Sequence, residues 1–197
     1  MSKYVPTEKR CNIEEFLEFV ELESQKPGNE NNRYELIDGV IYMMASPSEW
    51  HQDMVLNLAI QLNSFLKGKS CKVIISPFDV RLFPEDDNSD TSVVIPDLIV
   101  VCDNKKISDG KMCKGAPEFI IEVLSPSTEK RDLFAKKSLY NRAGVKECWF
   151  IDRDIMFKYT LNNGFYDETL VHYLFNREPV PVETLSGCKL EIPVFNI

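Results

Sequence analysis

Apolar residues along this chain fall into blocks with two different periods, and the period separates helices from strands. Phe16, Phe19 and Val20 follow helical spacing behind Asn12, a good N-cap, and Glu15 completes a capping-box pattern, so a helix is expected from about Ile13 to Glu23. The blocks Arg33–Ile37 and Val40–Met44 flank Asp38-Gly39, the strongest short hairpin signal, which puts Glu35 on a strand. Ser46-Pro47-Ser48-Glu49 predicts a helix start with Ser46 as cap and Pro47 in the first position. That helix should run to about Leu66 with Met54, Val55, Leu58, Leu62 and Phe65 on its apolar face, and His51 points the same way.

Strand-like blocks follow at 72–76, 78–83, 93–101 and 118–124, then a helix from about Ser127 to Ala143, ended by Gly144. Two further strands, 147–151 and 155–161, surround the Asp152-Arg153-Asp154 turn, and 170–175 is another candidate. The pattern is that of a mixed α/β (α+β) protein with a central sheet, organised as one domain over residues 1–197.

Composition narrows the class. With 44% hydrophobic and 27% charged residues the chain can bury a core. No block approaches the ~20 apolar residues needed to cross a bilayer. The first thirty residues lack the apolar stretch of a signal peptide, so no membrane association and a cytoplasmic location are expected. Six cysteines form no C-x-x-C pair and the two histidines stand far from them, which argues against zinc; reduced, buried thiols are expected. The net charge of −8 argues against a general electrostatic grip on nucleic acid. Acids that ligate a metal count toward that charge yet attract phosphate once the ion is bound, so a local grip stays open.

Two carboxylates interrupt the most apolar blocks: Asp97 within Val93–Val101 and Glu122 within Phe119–Leu124. A lone ionised carboxylate in an apolar sheet costs several kcal/mol unless it is paired, hydrogen-bonded or bound to a cation. Two of them close together would raise each other's pKa, and a shared divalent metal resolves both problems. In the helix that follows, Leu133, Leu139, Tyr140 and Ala143 set an apolar stripe centred near Lys136, while Lys137 falls well to the side. Lys136 therefore points inward, either pairing structurally with an acid, snorkelling to water, or standing beside the Asp97 and Glu122 site.

Arg33-Tyr34-Glu35-Leu36-Ile37-Asp38-Gly39, His51, Pro96-Asp97, Glu122-Val123-Leu124-Ser125-Pro126-Ser127-Thr128, Arg131-Asp132, Lys136, Tyr140, Gly144-Val145 and Trp149 occur in that order. The series resembles the Uma-type family of restriction endonucleases, a branch of the PD-(D/E)XK nuclease superfamily, most strongly over residues 30–155. The resemblance implies a restriction-endonuclease-like fold, a central mixed sheet flanked by helices, with a Pro-Asp strand beside a Glu strand. It implies Asp97 and Glu122 as ligands of magnesium or manganese, the Val123 carbonyl as a further oxygen, and Glu35 as an additional acid. Oxygen ligands with open water positions suit magnesium. The superfamily's E-x-K lysine is replaced by Leu124, and Lys136 resembles a migrated lysine that would orient water or offset charge at the scissile phosphate. His51, Ser125 and Asp132 are candidates for supporting the ligands, although the simplest reading of His51 is a satisfied histidine at the core edge.

DNA is thus the expected substrate, and a homodimer is one expected form, since cutting two strands calls for two sites. A metal-dependent phosphodiesterase is the leading reading. A catalytically silent nuclease-fold binding or regulatory protein is the alternative, permitted by the acidic charge and the missing E-x-K lysine. A set of purely structural acid–lysine pairs is the third.

Overall fold

The computed structural model describes residues 3–4, 10–124, 132–167 and 170–195. Three α-helices are present among them: α1 (Ile13–Ser24), α2 (Glu49–Leu66) and α3 (Lys137–Ala143), the last entered through a π-helical turn at Asp132–Lys136. The strands are β1 (Lys3–Tyr4), β2 (Tyr34–Ile37), β3 (Val40–Met43), β4 (Lys72–Ile75), β5 (Asp79–Arg81), β6 (Val93–Val94), β7 (Leu98–Val101) and β8 (Met112–Lys114). They continue as β9 (Phe119–Val123), β10 (Glu147–Ile151), β11 (Ile155–Asn162), β12 (Phe165–Tyr166), β13 (Leu170–Tyr173), β14 (Val180–Pro181) and β15 (Lys189–Leu190).

Two mixed sheets carry the molecule. The first is ordered β1-β3-β2-β6-β5-β8, the second β12-β11-β10-β9-β7-β4 with β13 also on β11, and β14 and β15 form a small ribbon. The Asp38-Gly39 loop closes β2 on β3 with φ of 49° and 80°, the left-handed pair that a two-residue hairpin needs. Glycine is required at 39 for a second reason: a Cβ there would lie 2.7 Å from the Arg10 Cβ.

Alternation along the second sheet builds both of its faces. Leu98, Val100, Phe119, Ile121 and Val123 pack under α2 through Met54, Val55, Leu58, Leu62 and Leu66. Ile99, Val101, Ile120 and Leu124 turn the other way, toward Leu139 and Tyr140 of α3 and toward Ile37, Val80 and Val94 of the first sheet. Helix α1 closes the outer side of the first sheet through Ile13 and Phe16 against Tyr34, Leu36 and Ile41. The first sheet is therefore covered on both sides at β2, all four of whose residues are buried.

Several expectations change. The block 93–101 is not one strand: β6 pairs with β2 and β5, β7 with β4 and β9, so the chain crosses from one sheet to the other at Ile95-Pro96-Asp97. Pro96 has no N–H for a ladder and forces the break. Helix α2 is capped by Ser48 rather than by Ser46, because the helix begins at Glu49 and it is the Ser48 Oγ that reaches a first-turn amide, accepting from His51 N at 3.3 Å. Strand β8 and the β14/β15 ribbon were not expected from the sequence. The beginning of the 127–143 helix and Ser125 lie outside the described residues, as does the side chain of Asp132. The thiols are not all reduced: Cys71 and Cys102 form a disulfide, brought together because they extend the antiparallel β4/β7 pair past Lys72 and Val101. Cys113, Cys148 and Cys188 are free and buried, and Cys11 is buried outside the disulfide. No helix among the described residues is long and apolar enough to cross a membrane.

Candidate active site

Four chain segments meet where the two sheets face each other. Glu35 comes from the middle of β2 and is 3% exposed, because its neighbours Tyr34 and Leu36 face α1 and leave it directed between the sheets. Asp97 stands at the crossover just before β7, and Glu122 on β9 shares the face of Ile120 and Leu124. The pairing of Leu98 with Ile121 brings the Asp97 and Glu122 segments side by side. Lys136 closes the π-helical turn and is 3% exposed, pointing inward as its helical phase requires.

Lysine links the acids from the two sheets. Lys136 Nζ lies 2.9 Å from Glu35 Oε1 and donates to Glu122 Oε1 at 3.0 Å. Glu35 Oε1 also accepts from the backbone N of Ile95 at 2.9 Å. Asp97 Oδ2 accepts from the backbone N of Val123 at 2.8 Å and lies 3.2 Å from His51 Nε2. Glu122 Oε1 additionally accepts a hydrogen bond from the Tyr140 hydroxyl. The structure thus brings together Glu35, His51, Asp97, Glu122, Val123 and Lys136, all of which line one cavity of about 400 Å³. Sequence reasoning placed Tyr140 in the apolar stripe and in the family series, without a role at the site. Its position one helical turn after Lys136 was the signal that both could reach the same carboxylate.

The electrostatics show an excess of negative charge. Burial pushes the Glu122 carboxyl well above the usual carboxylate range; Lys136 offsets part of this, and the neighbouring Asp97 and Glu35 push it further up. Burial likewise raises the Tyr140 hydroxyl, and Glu122 and Glu35 add to the effect. Burial pulls the His51 imidazole down, but the hydrogen bond and charge of Asp97 outweigh it and leave it above its ordinary value. The other ring nitrogen of His51, Nδ1, is buried with no hydrogen-bond partner among the described residues.

Three carboxylates facing one lysine and one histidine suit a divalent cation. Among the described residues no three His, Cys, Asp or Glu side chains form a closed metal cage. Asp97 and Glu122 are the carboxylates that could hold such an ion, with the Val123 segment beside them on the same wall.

Residues 14–193 match the family Uma2, described as "Putative restriction endonuclease". The chain belongs to the Uma2 family. Over 127 residues it is 28% identical to an uncharacterized protein of Synechocystis sp., covering 64% of this chain and 60% of that protein. The Uma2 fold of this chain is similar to the crystal structure of "a putative nuclease belonging to DUF820" from Anabaena variabilis, with a TM-score of 0.69 and 21% identity over 92% of this chain and 95% of that one.

Proposed function

We propose that this Uma2 protein is a metal-dependent endonuclease that hydrolyses phosphodiester bonds in DNA, with Asp97 and Glu122 holding Mg2+ or Mn2+. The observation that supports this most is the convergence of Glu35, Asp97, Glu122 and Lys136, from both sheets and a helix, on the floor of one cavity. A bound dication would supply Lewis-acid activation of water and stabilise charge on the phosphate. The protein's own groups have separable tasks. The Val123 amide and His51 fix the Asp97 carboxylate through Oδ2, and Tyr140 fixes Glu122 through Oε1. Lys136 Nζ, bridging Glu35 and Glu122, offers a donor toward a phosphate oxygen or an attacking water. Glu35 keeps that ammonium in place rather than standing as a free base, since its Oε1 is already shared between Lys136 and Ile95.

Purified protein with Mn2+ is expected to nick supercoiled plasmid, EDTA to stop it, and Asp97→Asn to lose it while keeping a wild-type circular dichroism spectrum. No cleavage of plasmid or of single-stranded DNA by the wild type with Mg2+ or Mn2+ would refute the reading. Retention of DNA binding without cleavage under any metal would favour the silent binding protein instead.

A further inference from the structure

We propose that the site takes an unpaired strand of DNA, a single strand or a nucleotide drawn out of its duplex, and that Ile75 is an apolar stop for its base. The proposal rests on the endonuclease reading and adds the substrate class to it. The groups that would act on the phosphate are recessed: Asp97 is 8% exposed, Glu122 5% and Lys136 3%. They are reached through a cavity of about 400 Å³, which is the scale of a small-molecule pocket (~300–1,000 Å³) and not of a groove that seats a double helix. A site too narrow to admit a duplex can be reached by a single strand or by a nucleotide turned out of the stack, as in enzymes that act on extruded bases.

The mouth has the chemistry of an unpaired base. Ile75, the last residue of the edge strand β4, is 50% exposed although it lines the cavity opposite Leu98, one residue from Asp97. Apolar side chains of this kind wedge against or between bases. Pro47 and Pro77 line the same cavity, and the amides of Asn31 and Gln52 stand on its wall, able to meet the hydrogen-bonding edge that pairing would hide.

Charge points the same way. A duplex carries one negative charge per ~1.7 Å of axis and is usually met by a broad basic surface. This chain has a net charge of −8, and the cationic residues among the described cavity lining, apart from His51, are Arg33 and Lys136, the latter already engaged by two carboxylates. Cutting one strand also takes one site, so the reaction needs no second copy of the chain.

The test uses one labelled 30-mer in three forms: single-stranded, fully paired, and paired with a three-nucleotide unpaired loop. Anisotropy with wild-type protein in Ca2+ reads binding, and denaturing gels in Mn2+ read cleavage. We expect the single strand and the looped duplex to bind at least tenfold tighter than the perfect duplex, with cuts falling in the loop. Ile75→Ala should raise KM for the single strand at least fivefold with a much smaller change in kcat. Equal or tighter binding of the perfect duplex, equal or faster cutting of it, or no binding of any form would overturn the proposal. Preferential binding of the unpaired forms with no cleavage of any of them, nor of bis(p-nitrophenyl) phosphate, would refute the endonuclease reading while supporting this one.

Discussion

Lys136 has two acids within reach, one from each sheet, and Lys137, its neighbour in sequence, has neither. The ammonium of Lys137 lies 4.2 Å from the centre of the Tyr159 ring, and Lys137 does not line the cavity. Lys136→Ala should therefore abolish plasmid nicking, whereas Lys137→Ala should leave its rate within a few-fold, measured side by side under saturating Mn2+. Equal losses would mean that Lys136 acts only as a buried counter-ion. Tyr140→Phe removes the hydroxyl donor from a buried carboxylate; we expect a loss of about 1–3 kcal/mol in urea unfolding without metal. The inward phase of Lys136 was legible because four apolar neighbours fix the helical stripe. Glu35 was not legible, because strand alternation alone allows an exposed glutamate, and only the tertiary cover on both sides of β2 decides that it is buried.

Elements were read well where a local signal is complete. The Asn12/Glu15 capping box is formed in both directions, at 3.0 and 3.1 Å, and the Asp38-Gly39 hairpin has the required backbone. They were read less well where two signals compete. Ser46 and Ser48 both satisfy the pattern of an N-cap, and the one that accepts from the backbone of His51 is Ser48. Ser48→Ala should cost about 1 kcal/mol in urea unfolding, and Ser46→Ala much less. The run 93–101 looked continuous because hydropathy does not distinguish a strand from a crossover between two buried strands. The same break is what sets Asp97 off the ladder, where its side chain can accept from Val123. Farther along, Glu147 is fully buried and accepts from Trp149 Nε1 at 2.8 Å and from the Thr184 backbone N at 2.9 Å, with Lys158 Nζ 3.5 Å away. It ties β10 to the segment that leads into β15, a contact no local pattern announces. Glu147→Ala should destabilise the protein by about 3–5 kcal/mol without directly altering the cavity, as removal of one partner of a buried polar network does. Thermal unfolding compared with Glu147→Gln, whose one amide oxygen can still accept from the Thr184 backbone N and hydroxyl, checks it.

At the scale of the molecule, the two sheets are joined at the cavity by side chains of like charge. Glu35 belongs to the first sheet, Glu122 to the second, and Asp97 to the crossover that passes between them. With one lysine among them the junction is short of positive charge, so a bound dication should stabilise the folded protein by mass action. We expect the thermal midpoint to rise with millimolar Mg2+ or Mn2+, and most of that rise to vanish in Asp97→Asn or Glu122→Gln. The order of elements along the chain made the fold class legible, but the meeting of Glu35 with Lys136, about a hundred positions apart, was carried by family resemblance and not by any spacing. The central claim is that Asp97 and Glu122 share a metal. The most direct measurement is anomalous diffraction from crystals soaked in Mn2+. The account predicts a peak in the cavity about 2.1 Å from a carboxylate oxygen of both Asp97 and Glu122. A cavity without a peak at saturating Mn2+, or a peak bound elsewhere on the chain, would contradict it.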